Sequence, residues 1–182
     1  SDSADTTLGY SVSALWNDNG LGTEDGYAAI TDGADDYGYT KITADNKDAI
    51  FGFVSAALAA RKNAYVPYSG YPVGAAVLGE DGNIFTGCNV ENVSYPAGMC
   101  AERNAIGSAV TAGCTSFQGI AVAGSDKGFT MPCGICRQVI AEFHIPVVIV
   151  AKDEDHYKIF DGSKLLPHAF EEGCLKTGER NG

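Results

Sequence analysis

An α/β fold, an α-β-α three-layer sandwich with a mixed five-stranded sheet, is predicted by three features of this 182-residue sequence. Glu80-Asp81-Gly82 places acid and glycine between two apolar runs, the signal of a hairpin. From Gly113 onward, strand-like and helix-like segments alternate, which implies crossover connections and a sheet covered on both faces. A segment with helical spacing precedes the hairpin and supplies the first layer.

That first helix is expected over residues 45–62, capped by Asp45 or Asn46, because Ile50, Phe53, Val54, Ala57, Leu58 and Arg61 fall at helical spacing. It should end before Pro67. Strands follow at 73–78 and 83–90, the second carrying the chain to Asn89 and Glu91. Pro96 and Gly98 break 92–98 into a loop, and a helix over 100–112 stops at Gly113. A strand at 117–124, a helix at 133–143 begun after Pro132, a buried strand at 146–151 and a short strand at 157–160 complete the sheet. Residues 165–175 read as helical or irregular.

Two segments differ in character. Residues 1–44 form an acidic Gly/Asp/Tyr-rich extension in which Lys41 is the only basic residue, and residues 45–182 form the folded domain. The formal net charge of −11 argues against nucleic acid, since phosphate binding needs a basic face and Lys and Arg form no run here. No apolar stretch approaches a membrane span and no basic amino-terminal segment precedes an apolar core, so a protein free of membranes is expected.

Chemistry concentrates in two short motifs, Met99-Cys100-Ala101-Glu102-Arg103 and Pro132-Cys133-Gly134-Ile135-Cys136-Arg137. Cys133-x-x-Cys136 alone fits a redox pair, half of a structural zinc knuckle or two buried thiols. With a proline before it and Cys-x-Glu upstream, it matches the zinc signature of nucleobase deaminases, in which the glutamate is the acid-base group and not a ligand. Cys100, Cys133 and Cys136 would hold Zn2+ and leave its fourth position open, whereas a structural site is closed by four protein ligands. Helix N-termini at these cysteines would favour thiolates, and Arg103 and Arg137, each directly after a ligand, would draw charge from the sulfurs. Of six cysteines, Cys88, Cys114 and Cys174 read as interior thiols, and thiolate ligation points to a reducing, cytoplasmic setting. His144, His156 and His168 have no ligand spacing to the cysteines and read as loop histidines.

Over about residues 49–170 the chain resembles the small homotetrameric zinc-dependent cytidine deaminases. The resemblance rests on Tyr65-Val66-Pro67-Tyr68-Ser69-Gly70-Tyr71-Pro72-Val73-Gly74-Ala75-Ala76, Gly87-Cys88-Asn89-Val90-Glu91-Asn92, Tyr95-Pro96, both cysteine motifs and Leu165-Leu166-Pro167. It implies hydrolytic deamination of cytidine and 2'-deoxycytidine in pyrimidine salvage, one Zn2+ per subunit and a homotetramer, with a nucleoside as small-molecule partner. It assigns proton transfer to Glu102, ribose binding to Asn89 and Glu91, and base binding to the Ala101 backbone and to the ring of Tyr71, which stands where the family usually has phenylalanine. Tyr95 and Phe170 match aromatic positions near subunit boundaries, Phe170 reaching a neighbour's base. Three departures stand out: Met131 where serine is common, Glu171-Glu172 where Gly-Pro is common, and the acidic extension. A deaminase of another aminopyrimidine nucleoside, such as blasticidin S, and a non-catalytic four-cysteine zinc module closed by Cys88 or Cys174 are the alternatives.

Overall fold

The structure, a computed structural model, describes residues 44–125 and 127–175. The acidic extension up to residue 43 lies outside these residues, as does the side chain of Cys174. Eight elements follow the predicted order: α1 Ala44–Arg61, β1 Gly74–Gly79, β2 Ile84–Cys88, α2 Ala101–Thr111, β3 Phe117–Ala123, α3 Gly134–Glu142, β4 Val147–Ala151 and β5 Tyr157–Asp161. The strands form one mixed sheet in the order β2-β1-β3-β4-β5. Only β3 and β4 run parallel, joined through α3; the other neighbours are antiparallel.

Each face of the sheet carries its own core. On one side Ala76, Leu78, Ala121 and Ile149 meet Phe53, Val54 and Ala57 of α1. On the other, Ala75, Val77, Val122 and Val148 meet Ala101, Ala105, Ile106 and Ala109 of α2 and Ile140 of α3. The four α2 residues fall at i, i+4, i+5 and i+8, so one helical stripe faces the sheet. Strand β1 is buried along its whole length, which explains why Gly-Ala-Ala-Val-Leu-Gly shows no polar alternation.

Glycine lets both helices come close to the hairpin. A Cβ on Gly74 would stand 2.8 Å from Arg61 Cα in α1, and one on Gly87 would stand 2.7 Å from the Ala101 carbonyl in α2. Asn104 then ties α2 to β2 by donating from Nδ2 to the Cys88 carbonyl at 2.7 Å. The amino end of α2 is therefore fixed against the end of β2 that leads to Asn89.

Several boundaries differ from expectation. Helix α1 already includes Ala44, so Asp45 and Asn46 lie within the helix and do not cap it. The hairpin loop extends to Asn83, because the Asp81 carboxylate accepts from the Asn83 N–H at 3.1 Å and holds that residue in the turn. Residues 165–175 are irregular with a single 3-10 turn, Glu172–Cys174.

Candidate metal centre

Cys100 and Cys133 are the N-cap residues of α2 and α3, and Cys136 lies in the first turn of α3. The two helix starts bring their sulfurs together: all three Sγ atoms lie within 4.8 Å of one another, with Cys100 and Cys133 3.8 Å apart. Tetrahedral Zn–S bonds of about 2.3 Å put sulfurs roughly 3.8 Å apart, so the donor set fits zinc in chemistry and in spacing. Among the described residues this is the only such cluster of potential ligands. Cys88 points elsewhere, its Sγ 3.4 Å from the Asn63 carbonyl, and does not close a four-sulfur site.

Without a metal the thiols share protons unequally. Hydrogen bonding to Cys136, reinforced by Arg103 and Cys133, lowers the Cys100 thiol to about 5. The same bond, with burial and the Glu102 charge, pushes Cys136 up. One ready thiolate thus sits at Cys100, 3.9 Å from Arg103 Nη2, which also donates to the Gly98 carbonyl. Arg137 acts differently from expectation: its hydrogen bonds go to the backbone carbonyls of Pro132 and Leu165, bracing the approach to Cys133.

Glu102 is the only buried charged residue among those described, 4% exposed in the first turn of α2. Burial, aided by the neighbouring Cys100 charge, raises its carboxyl above the usual range, while a hydrogen bond with Cys136 opposes the rise. Isolating a carboxylate from water is costly unless something compensates. Here the compensation available is a metal centre and the backbone N–H groups of a helix start.

A cleft of about 580 Å³ opens beside Cys100 and is lined by Tyr68, Asn89, Glu91, Tyr95, Arg103 and Ile135 among others. Asn89 and Glu91 lie just past β2, in a segment bridged to Tyr65 and Met99. The Asn89 amide accepts from the Val73 N–H and donates to the Tyr71 carbonyl. Glu91 accepts from the N–H groups of Tyr68 and Ser69. Hydrogen bonding with the Ser69 side chain leads the causes that hold its carboxyl below the usual carboxylate range. Ala101 is buried as the first residue of α2, where an N–H has no intrahelical acceptor. Tyr95 is exposed and meets Tyr68 edge to face.

Phe170 is not brought to this cleft. It lines a separate cavity of about 690 Å³ behind α3 together with His144 and His168, and this cavity includes neither the cysteines nor Glu102. Gln138 of α3 clamps it, donating to its carbonyl at 2.8 Å and accepting from its N–H at 3.4 Å, while the residue stays 60% exposed. Sequence reasoning missed Gln138 as the holder of Phe170, although it stands two residues after Cys136 in the stretch that carries the family resemblance. His156 is occupied by Asp153 in the turn between β4 and β5.

Residues 49–152 match the family model described as the cytidine and deoxycytidylate deaminase zinc-binding region. A cytidine deaminase of Sporosarcina psychrophila is 49% identical over 119 residues, covering 64% of this chain and 87% of the relative. A probable cytidine deaminase of Dictyostelium discoideum is 43% identical over 132 residues, covering 71% and 89%. The crystal structure of cytidine deaminase from Burkholderia pseudomallei superposes with a TM-score of 0.62 at 45% identity, covering 65% of this chain and 97% of that one. The Mycobacterium tuberculosis cytidine deaminase structure gives 0.58 at 37% identity, covering 66% and 95%.

Proposed function

Because the chain belongs to the cytidine and deoxycytidylate deaminase family, we propose that its cleft hydrolyses cytidine and 2'-deoxycytidine to the uridine forms, releasing ammonia. It is a zinc-dependent cytidine deaminase, with zinc held by Cys100, Cys133 and Cys136. Zinc bound there supplies Lewis acidity that makes water nucleophilic near neutral pH. Every other part is played by the chain's own residues.

The observation that carries this reading is the placement of Glu102, the one buried carboxyl among the described residues, beside the thiols of Cys100 and Cys136. Its carboxylate takes a proton from the attacking water and delivers it to N3 of the pyrimidine, then takes the proton of the added hydroxyl and passes it to the amino group that leaves as ammonia, a role worth about 10² to 10⁴ in rate. From the cleft wall Asn89 donates to the ribose hydroxyls and Glu91, a carboxylate at neutral pH, accepts from them. Ala101 offers its backbone to the base, and the rings of Tyr71 and Tyr95 bound the site. Arg103 stabilises the Cys100 thiolate.

The protein works as a homotetramer in this reading, with Phe170 entering a neighbour's site. Its support is the large apolar side chains left exposed at Tyr65, Val93, Tyr95, Ile135 and Phe170, of which Tyr95 and Ile135 line the cleft. Pyrimidine salvage in the cytoplasm is the setting proposed, and the free state of Cys88, Cys100, Cys114, Cys133 and Cys136 supports a reducing compartment. No helix of the described residues is long and apolar enough to cross a membrane. The acidic extension is proposed as a unit separate from the deaminase domain.

Glu102→Gln tests the assignment: the variant should retain zinc and lose at least about a hundredfold in turnover. Near-normal turnover would remove Glu102 from the mechanism.

A further inference from the structure

A hydrogen bond beside the cleft is left over by these roles. Tyr71 is tethered at its backbone, where its N–H donates to Ser69 Oγ at 3.0 Å and its carbonyl accepts from Asn89 Nδ2 at 2.9 Å. It is tethered again at its far end, where Oη lies 2.6 Å from Thr130 Oγ1. Thr130 stands three residues before Cys133. One side chain therefore links the Asn89 wall to the segment that leads into the metal helix.

Thr130 is itself held in place. Its Oγ1 accepts from the Ser125 N–H at 3.1 Å, and its side chain occupies the space where Gly124 would carry a Cβ. Arg61 of α1 donates to the Gly124 carbonyl and anchors this loop to the opposite layer. Tyr71 is 42% exposed, so the ring has no surrounding core to fix it. A phenylalanine in its place would keep the ring and lose the link, because only the phenol can hydrogen-bond.

We propose that the Tyr71–Thr130 hydrogen bond is a strut that holds the Tyr71 ring in place as a wall of the pyrimidine site, with Thr130 as a positioning residue. The proposal rests on the reading of Tyr71 as a substrate-binding residue. A strut made before substrate arrives removes part of the ordering cost of binding, so its loss falls on KM and spares kcat.

The test uses the zinc-loaded enzyme and measures KM and kcat for cytidine in Tyr71→Phe, Thr130→Val, the double variant and Thr130→Ser. Losing one neutral hydrogen bond should raise KM about two- to tenfold in each of the first two, with kcat near wild type. The double variant should be no worse than either single one, and Thr130→Ser should restore KM. Tyr71→Phe leaves the Ser125–Thr130 bond intact, so a folding defect in Thr130→Val does not decide the matter. Wild-type KM in Tyr71→Phe, or independent additive losses in the double variant, overturns the strut. Tyr71→Ala separates the two claims: if it keeps wild-type kcat/KM, the ring is no wall of the site. If Tyr71→Ala is impaired while Tyr71→Phe and Thr130→Val are normal, the wall stands and only the strut falls.

Discussion

Replacing Gly87 with alanine tests whether close packing of β2 on α2 sets the position of Glu102. The new Cβ would lie 2.7 Å from the Ala101 carbonyl and nearer still to the Ala105 nitrogen, where ordinary contacts begin at 3.4 Å. These are backbone atoms of the helix that starts at the metal centre, so no side chain can rotate away. Helix α2 must retreat by about 1 Å to restore an ordinary contact at the Ala105 nitrogen, a strain of the kind that costs about 1–3 kcal/mol in a packed core. Glu102 and the Cys100 sulfur move with it, and a misplacement near 1 Å is enough to cost on the order of a hundredfold in rate. The assay is the initial loss of cytidine absorbance, paired with a melting curve of the zinc-loaded protein. Gly107→Ala serves as control: the same helix there meets no atom within 4 Å, so stability should rise by about 0.5–1 kcal/mol with the rate kept. Wild-type melting and turnover in Gly87→Ala would refute the packing argument.

Arg103→Gln should weaken zinc binding about 10- to 100-fold in a chelator competition, since the Cys100 thiolate loses its hydrogen-bonded guanidinium; an unchanged affinity would show that the guanidinium does not tune the site. Glu91 should give KM a defined pH dependence: its carboxyl is held below 4.5, so its contribution is full above that value and is lost as pH falls through the lowered one. The Glu91 contribution to KM should persist from neutrality down to about pH 4.5 and fade only below it, and Glu91→Gln should raise KM at neutral pH and lose its effect where Glu91 is itself protonated. Dilution to the point of subunit dissociation, followed by light scattering, should lower specific activity, because Phe170 is proposed to serve a neighbouring site; a fully active monomer would contradict that.

The helices of the site were legible because their start signals are local. Cys-x-Glu and Pro-Cys-x-x-Cys sit where a helix begins, and the structure puts Cys100 and Cys133 at the two N-caps. The sheet was legible from the apolar runs and the Asp81-Gly82 turn, although slips of one or two residues at strand ends are beyond what periodicity fixes. What escaped the sequence depends on contacts between distant segments. Nothing local says that Arg137 turns to Leu165 while Arg103 turns to a sulfur, or that Gln138 grips Phe170 from 32 positions away. The Tyr71–Thr130 pair, 59 positions apart, is likewise a product of the fold.

The most direct test is ultraviolet absorbance of cytidine mixed with purified protein whose zinc content has been measured. One zinc per chain, loss of the cytosine band and matching release of ammonia are the result that an open three-cysteine centre with Glu102 beside it predicts. An unchanged spectrum from fully zinc-loaded protein would contradict it.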